Sequence, residues 1–221
     1  MRRTVLCLLV VVNVGALLCQ AQVGPLVAKR HVVRDVLDSE GNVVRHSETF
    51  GRYLRNSAGS TIDQEYSLQG GKLAVESGQL RDYSRHKIFE LIYENHEAVE
   101  LADLPGEPHP EYLADAKSAS GQETINGIPC LIHSIYMIVD GKKRLIGKGY
   151  DSAEYGVPVR EDALIEPPGG PRTHQIVELY DFQTVEPDPK EFDLEDFSFV
   201  AKRPAACAKP GASAAVAEPL K

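Results

Sequence analysis

Histidines and acidic residues are the side chains of this 221-residue chain that could support catalysis or bind a metal. The seven histidines stand singly, at positions 31, 46, 86, 96, 109, 133 and 174. Metal ligands close in sequence follow short regular spacings, and these histidines show none. Local spacing therefore predicts neither a metal site nor a cofactor, and it leaves open a site assembled from distant strands. His133 lies in an apolar segment, where we expect a core or rim position.

Catalytic motifs are missing from the sequence. It contains no serine nucleophile elbow, no zinc-protease histidine pair and no calcium loop. Gly71-Lys72 and Gly141-Lys142 lack the rest of a phosphate-binding loop. The acidic groups at 186–188 and 193–196 are typical of solvated loops, and acid–base catalysis needs carboxylates at a defined separation in space. We therefore expect a protein that is not an enzyme and name no catalytic residue.

The first 21 residues have the pattern of a secretory signal. Arg2 and Arg3 precede the apolar run 5–18, and Cys-Gln-Ala at 19–21 offers a cleavage site after Ala21. The run is shorter than the roughly 20 apolar residues of a membrane-spanning helix, so no stable transmembrane anchor is expected after cleavage. We expect a periplasmic or secreted bacterial protein.

Two alternatives for the N-terminus stay open. Arg2-Arg3 could belong to a twin-arginine signal, although a bare arginine pair is weak evidence. Cys19 could be lipidated instead of removed, although Leu18 before it is bulkier than the residue usually found there.

The charge balance limits the classes of partner. Residues 1–21 carry two arginines and no acid, so the 24 basic residues fall to 22 against 32 acidic ones, a net charge of −10. Nucleic acids and anionic membrane surfaces bind basic faces, so neither is expected as a partner. Residues 22–200 have the length of a single domain.

The C-terminal segment 201–221 differs in composition from the rest of the chain. It holds eight alanines, three prolines and no aromatic residue, which predicts a disordered tail. After signal cleavage Cys130 and Cys207 remain. They could form a disulfide in an oxidising compartment, although Cys207 lies in the predicted tail.

Short extended segments between turn residues predict an antiparallel sheet. Asn126-Gly127 and Asp140-Gly141 have the residue types of tight hairpin turns, so strands are expected at 129–139 and 142–150. Residues 111–117 could form one or two helical turns. Residues 186–200 are expected to begin as a loop and to end in apolar contacts through Phe192, Leu194, Phe197 and Phe199.

Strand 130–139 is apolar on both of its faces, and residues 176–182 behave similarly. An antiparallel strand with one face in water should alternate instead. Both faces are therefore expected to be covered, either by another packed layer or by a ligand in an apolar cavity. The candidate cavity residues are Leu91, Tyr93, Ile132, Ile135, Tyr136, Met137, Ile138, Ile176 and Leu179.

Four segments resemble motifs of uncharacterised bacterial exported proteins related to the periplasmic lipoprotein carrier LolA. The series consists of a strand and turn at 50–59, a hairpin at 121–130, a strand and turn at 150–159, and a closing segment made of 178–182 and 186–192. Their order along the chain matches that of the group. Tyr150 stands where the group usually has tryptophan.

The resemblance implies a mainly β fold, an open half-barrel of curved antiparallel sheet with one or two short helices. Its concave face would hold apolar matter, as LolA-like carriers shield acyl chains. The resemblance brings no catalytic residue. We therefore expect a non-enzymatic protein that binds a lipid or a lipidated protein. The alternative is a structural or interaction module of the cell envelope that docks on another envelope protein.

Overall fold

The computed structural model describes residues 24–69, 72–104, 119–139, 142–167 and 170–200. The predicted signal segment, the predicted tail and the helical turns expected at 111–117 lie outside these ranges and stay predictions. The described residues form twelve strands and one short 3-10 helix (Pro189–Phe192). None of them belongs to a helix long and apolar enough to cross a membrane.

The strands follow the order of the chain. They are β1 (Leu26–Leu37), β2 (Val43–Arg55), β3 (Thr61–Gln69), β4 (Lys72–Asp82), β5 (Lys87–Ile92), β6 (Glu97–Asp103), β7 (Gly121–Ile125), β8 (Ile128–Val139), β9 (Lys142–Ser152), β10 (Val157–Ile165), β11 (Arg172–Gln183) and β12 (Ser198–Val200).

The twelve strands make one open sheet in the order β12-β6-β5-β4-β3-β2-β1-β11-β10-β9-β8-β7. Strands β1–β6 form a first antiparallel meander and β7–β11 a second. The pairing of β1 with β11 joins the two at the centre, and β12 pairs in parallel with β6 at one edge. The predicted mainly β class and curved antiparallel sheet are confirmed.

The hairpins predicted from turn-forming residues are present where the structure describes these residues. Asn126 and Gly127 connect β7 to β8 with φ angles of 51° and 82°, the conformation that a type I′ turn requires. In the β1–β2 turn, the Asp38 carboxylate accepts hydrogen bonds from the main-chain N–H groups of Glu40 and Asn42. Residues 140–141 lie outside the described ranges, and the flanking strands pair as predicted.

The main apolar core lies on one face of the first meander. Cross-strand pairing aligns Leu54, Ile62, Leu80 and Phe89 in one row across β2–β5, and this side of the sheet is called the outer face here. Residues 186–197, called the strap, run across it and insert Leu194, which is 2% exposed, into the row. The strap therefore provides the second layer that this face needs.

Polar contacts hold the strap in place beside its apolar ones. Glu191 accepts hydrogen bonds from Arg52 at 2.8 Å and from Gln64 at 2.9 Å. Phe197 packs edge-on against Tyr93, with ring centroids 5.5 Å apart. The expected apolar contacts of Phe192, Leu194 and Phe197 are confirmed. Phe199 touches the ring of Phe89 but is 63% exposed.

The opposite side of the sheet, called the inner face, is concave across the central strands. Arg55 points from β2 to this side and donates hydrogen bonds to the main-chain oxygens of Tyr155 and Gly156, between β9 and β10. In a flat sheet, β2 and β10 in this order would lie about 14 Å apart. Bonds of 2.7 and 3.3 Å therefore require the sheet to curl towards the inner face.

Two glycines mark places where this curvature brings backbones together. A Cβ atom on Gly51 would lie 1.8 Å from the Gln64 main-chain oxygen, and one on Gly147 would lie 2.0 Å from that of Asp162. No side chain fits at such distances. Glycine in a strand often marks a tight bend of a barrel-like sheet, and these two have that role.

Candidate ligand-binding face

Strand pairing gathers polar residues from distant parts of the chain on the inner face. One cross-strand row runs from Val32 through Val177, Glu161 and Gly149 to His133. The next row runs from Arg34 through Gln175, Ala163 and Gly147 to Ile135. Because every second residue of a strand points to the same side, Arg30, Asp63 and Glu65 share this face.

Two arginines and one carboxylate form the first ion-paired group of the inner face. Arg30 and Arg34 donate to the same oxygen of Glu65, at 3.1 and 2.9 Å. Gly51 lies between Arg30 and Glu65 in the sheet, so no side chain separates the pair. Burial would raise the pKa of Glu65, but the two guanidinium charges outweigh it and hold that pKa below its ordinary value.

His133 and Asp151 form the second group. The His133 Nδ1 atom lies 3.0 Å from an oxygen of Asp151, whose side chain is 1% exposed. Burial alone would lower the pKa of His133, but the close contact with the negatively charged Asp151 outweighs it and raises that pKa. A Cβ on Gly149 would lie 2.1 Å from the imidazole ring, so the glycine makes room for His133.

Glu161 lies between these two groups. Burial raises the pKa of Glu161, the charges of Asp63 and Asp151 raise it further, and those of His133 and Arg30 oppose the change. These five side chains come from β1, β3, β8, β9 and β10. Part of Glu161 remains accessible to solvent.

Apolar residues close one end of the inner face. Leu26, Ala28, Tyr53, Val157 and Leu179 form a buried cluster beside Arg55, which is itself 4% exposed. Towards the other end, Val36, Val177 and Ile135 keep part of their surface exposed. The inner face thus combines a closed apolar end, a charged centre and an accessible apolar region.

The candidate cavity residues predicted from the sequence fall on both faces. By strand alternation Ile135, Met137 and Leu179 lie on the inner face. Leu91 and Tyr93 pack on the outer face beneath the strap, where the Tyr93 hydroxyl accepts a hydrogen bond from Gln64. The remaining candidates also lie on the outer face: Ile132, Tyr136, Ile138 and Ile176. The structure therefore does not bring the nine together.

Cys130 is buried on β8, and burial raises the pKa of its thiol. Its Sγ atom lies 3.3 Å from the Ile128 main-chain oxygen, to which it donates. Cys207 falls outside the described residues, so the disulfide between Cys130 and Cys207 stays a prediction. Within the described ranges, no group of three or more histidine, cysteine or acidic side chains has an arrangement that could hold a metal ion.

Sequence reasoning missed the charged centre of the inner face. The sequence does contain a local signal for this centre. Charged residues stand two or four positions apart and therefore share one face of a strand, as Arg30 and Arg34 do on β1 and Asp63 and Glu65 do on β3. His133 was expected at a core or rim position, and it lies half-buried beside Asp151. No short sequence pattern links these residues, because strands far apart in the chain bring them together.

Comparison with known proteins gives distant structural likenesses. No protein-family model matches the chain, and no curated protein matches it. A LolA superfamily protein from Nitrosomonas europaea superposes with a TM-score of 0.36 and 9% identity, covering 77% of this chain and 90% of that protein. PNGF-II superposes with a TM-score of 0.40 and 9% identity, covering 79% of this chain and 32% of that protein.

A third structure is described as a putative outer membrane lipoprotein-sorting protein domain from Vibrio parahaemolyticus. It superposes with a TM-score of 0.24 and 10% identity, covering 77% of this chain and 89% of that domain. The predicted resemblance to the LolA superfamily is thus confirmed as a distant structural likeness. The strand order and the contact of Arg55 with Tyr155 across the sheet define the half-barrel.

Proposed function

We propose that this chain is a non-enzymatic, periplasmic or secreted protein of the bacterial cell envelope that holds an amphipathic ligand on its inner face. A lipid, or the acyl chain of a lipidated protein, has the required chemistry. The observation that carries the proposal is the contrast between the two faces. The strap covers the outer face of the first meander, whereas Ile135, Glu161 and Val177 on the concave inner face remain partly accessible.

The lining of the inner face supports an amphipathic rather than a purely apolar ligand. Ligand sites are typically concave and largely apolar, with a few polar groups that orient the bound molecule. Here Leu179 and Tyr53 belong to the closed apolar end, Ile135 and Val177 are partly accessible, and the ion-paired groups lie at the centre. An acyl chain would cover the accessible apolar surface and leave its polar end beside the charges.

Native mass spectrometry of the full chain, purified from a bacterial periplasm and followed by lipid extraction, tests the proposal. A bound lipid-sized mass is the expected result. Ile135→Asp should weaken binding of that molecule because it places a charge on the accessible apolar part of the inner face. The matched control is Tyr136→Asp, one residue further on the outer face, where the side chain is 54% exposed. Folding of both variants is checked by circular dichroism.

Loss of the bound mass in Ile135→Asp but not in Tyr136→Asp would support the inner face as the site. Equal effects of the two folded variants would place the ligand elsewhere. A wild-type protein that carries no ligand and binds no hydrophobic probe would refute the proposal.

A second function, docking on another envelope protein, is favoured by an apolar patch on the outer face of the second meander. Tyr136 and Leu145 are direct cross-strand partners, 54% and 59% exposed, and Ile138 beside them is 56% exposed. Surface patches of this kind often mark protein contacts. Cross-linking in periplasmic extracts, with Leu145→Asp as the variant, separates the two functions. A cross-linked partner lost in that variant, together with a ligand-free wild type, would favour docking.

A further inference from the structure

Four hairpins turn at the same end of the sheet: β1–β2, β3–β4, β8–β9 and β10–β11. Leu37, the last residue of β1, pairs with Val43 on one side and with Arg172 on the other, so the ends of the two meanders meet there. The closed apolar cluster around Leu26 lies at the beginning of β1 and therefore at the opposite end. The described residues of these four hairpin ends are called the open end: 37–45, 72–73, 138–139, 142–145, 165–167 and 170–172.

Exposed apolar side chains are concentrated at the open end. Nine large apolar side chains are largely exposed in the described part of the chain, and five of them belong to these hairpin ends. Their exposed fractions lie between 56% and 65%. A single exposed apolar residue is ordinary, whereas a group of them marks a contact with a protein or a membrane. The five are Val43, Val44, Leu73, Ile138 and Leu145.

Basic residues surround these apolar side chains. The open end holds six basic and three acidic residues, and Asp140 in the sequence between β8 and β9 is a fourth acid. Glu166 is already ion-paired with Arg144 and Arg172. The other four basic side chains are exposed, and in the part of the chain that the structure describes none of them forms an ion pair: Arg45, Lys72, Lys142 and Lys143.

The acidic residues that dominate the net charge lie elsewhere. The strap alone holds six acidic residues and one lysine. Its Leu194 packs against Leu54, which is eleven positions from Val43 on β2, or about 36 Å along the strand. The sequence predicted no anionic membrane partner because residues 22–221 sum to a net charge of −10. That sum conceals a separation of charge, which leaves the open end basic.

We infer that the open end docks on the surface of an anionic phospholipid bilayer. The four unpaired cations meet the headgroup phosphates, and Val43, Val44 and Leu73 enter the interfacial region. Binding of this kind gains both from buried apolar area and from attraction to anionic lipids. The acidic strap is repelled by the same surface, so the charges also orient the protein.

The inference goes beyond the proposed function, because it concerns the surface on which the protein docks and not the molecule that it holds. The two are compatible in geometry. Val36 keeps part of its surface exposed on the inner face and pairs with Arg45 of the open end. A docked protein therefore turns the accessible part of its inner face towards the bilayer.

Vesicle flotation with protein purified from a bacterial periplasm tests the inference. One set of vesicles contains equal parts of phosphatidylglycerol and phosphatidylcholine, and the other contains phosphatidylcholine alone. The protein should bind the anionic vesicles at about 0.02 M salt and dissociate from them at about 0.5 M, because salt screens exposed charges. Binding to the neutral vesicles should be at least about tenfold weaker. Wild type and variants are purified alike, so any leader that remains contributes equally to each.

Paired charge variants locate the docking surface. Lys142→Gln combined with Lys143→Gln should weaken binding to the anionic vesicles roughly twentyfold, since each cation near such a surface contributes about fivefold in affinity. The matched control combines Lys29→Gln with Lys190→Gln. These two exposed lysines lie away from the open end, so the control removes the same net charge. It should change the affinity by less than about threefold.

An apolar pair of variants tests the insertion. Val44→Thr keeps the β-branched shape of the side chain and replaces a methyl group by a hydroxyl, so it should weaken binding at least about threefold. Val185→Thr is the control, because Val185 is 49% exposed and follows β11 at the opposite end of the sheet. Val44 lies outside the patch of Tyr136, Ile138 and Leu145, so this test is independent of docking on a protein. Circular dichroism verifies the folding of all variants.

The outcomes separate this inference from the proposed function. Absence of binding to the anionic vesicles at low salt, or equal binding to both kinds of vesicle, would overturn the inference even if native mass spectrometry shows a bound lipid. Equal losses in the open-end variants and their controls would overturn it as well. Selective loss of vesicle binding in Lys142→Gln with Lys143→Gln would support it. The same variant should still carry the lipid-sized mass, whereas Ile135→Asp should lose that mass and still bind vesicles.

Discussion

Leu194→Ala tests whether the strap belongs to the folded core. Leu194 is 2% exposed and packs among Leu54, Ile62 and Phe89 on the outer face. The substitution removes three carbon groups, each stabilising the fold by roughly 0.8 kcal/mol when buried. The lost transfer free energy is therefore about 2.4 kcal/mol, and the cavity left in a rigid sheet raises the total cost to roughly 3–4 kcal/mol.

Equilibrium unfolding in urea, followed by tyrosine fluorescence and circular dichroism, measures this cost. The midpoint should fall while the m-value stays the same, because the surface exposed on unfolding barely changes. Val185→Ala is the control. This valine lies just before the strap and is 49% exposed, so its truncation should change the free energy of unfolding by less than about 0.5 kcal/mol.

A cost below about 1 kcal/mol for Leu194→Ala would refute the reasoning. It would mean that the strap is dispensable for the core and that the row across β2–β5 is stable without it. A lower m-value in the variant would indicate that the strap detaches as a separate unit before the sheet unfolds.

Four further predictions concern the inner face. Arg55→Lys should lower the free energy of unfolding by roughly 1–3 kcal/mol in a urea titration, because lysine cannot satisfy the main-chain oxygens that the guanidinium now binds. Gly51→Ala should cost at least about 3 kcal/mol by the same assay, since its Cβ would lie 1.8 Å from a main-chain oxygen of β3; a near-neutral result would contradict the bend. Asp151→Asn should lower the pKa of His133 in an NMR titration, and an unchanged pKa would show that the pair does not hold the proton. Glu161 has a pKa in the folded protein above its ordinary value of 4.5. The protonated residue therefore stabilises the fold below pH 4.5, and this stability is lost as the pH rises through the folded pKa. Glu161→Gln should flatten this decline in thermal unfolding measured against pH, and an unaltered profile would contradict the prediction.

Local chemistry made much of the secondary structure predictable. The Asn126-Gly127 turn follows from two residue types that tolerate positive φ, and the strands on either side follow from their β-branched and aromatic composition. The apolar end of the strap was predictable as well, because Phe192, Leu194 and Phe197 need a surface to bury them. These features depend on a few neighbouring residues.

The faces of the sheet were not predictable in the same way. Strand alternation shows which residues share a side, but the side that becomes concave depends on contacts such as Arg55 with Tyr155, which are 100 residues apart. Because β8 is apolar on both faces, the sequence predicted that each face is covered by a packed layer or by a ligand. Tyr136 and Ile138 are instead largely exposed, so a local pattern could not separate a covered position from a surface one.

The seam between β1 and β11 has a consequence for how the chain acquires this structure. Arg34 and Gln175 meet there across 141 positions of sequence, whereas each meander consists of hairpins between neighbouring strands. Contacts this distant carry a large loop-closure entropy and slow the folding reaction. We expect the two meanders to form first and their junction to limit the rate. During synthesis the unpaired edge of β1 must wait until β11 has emerged, and for that interval it is a site where two chains can aggregate.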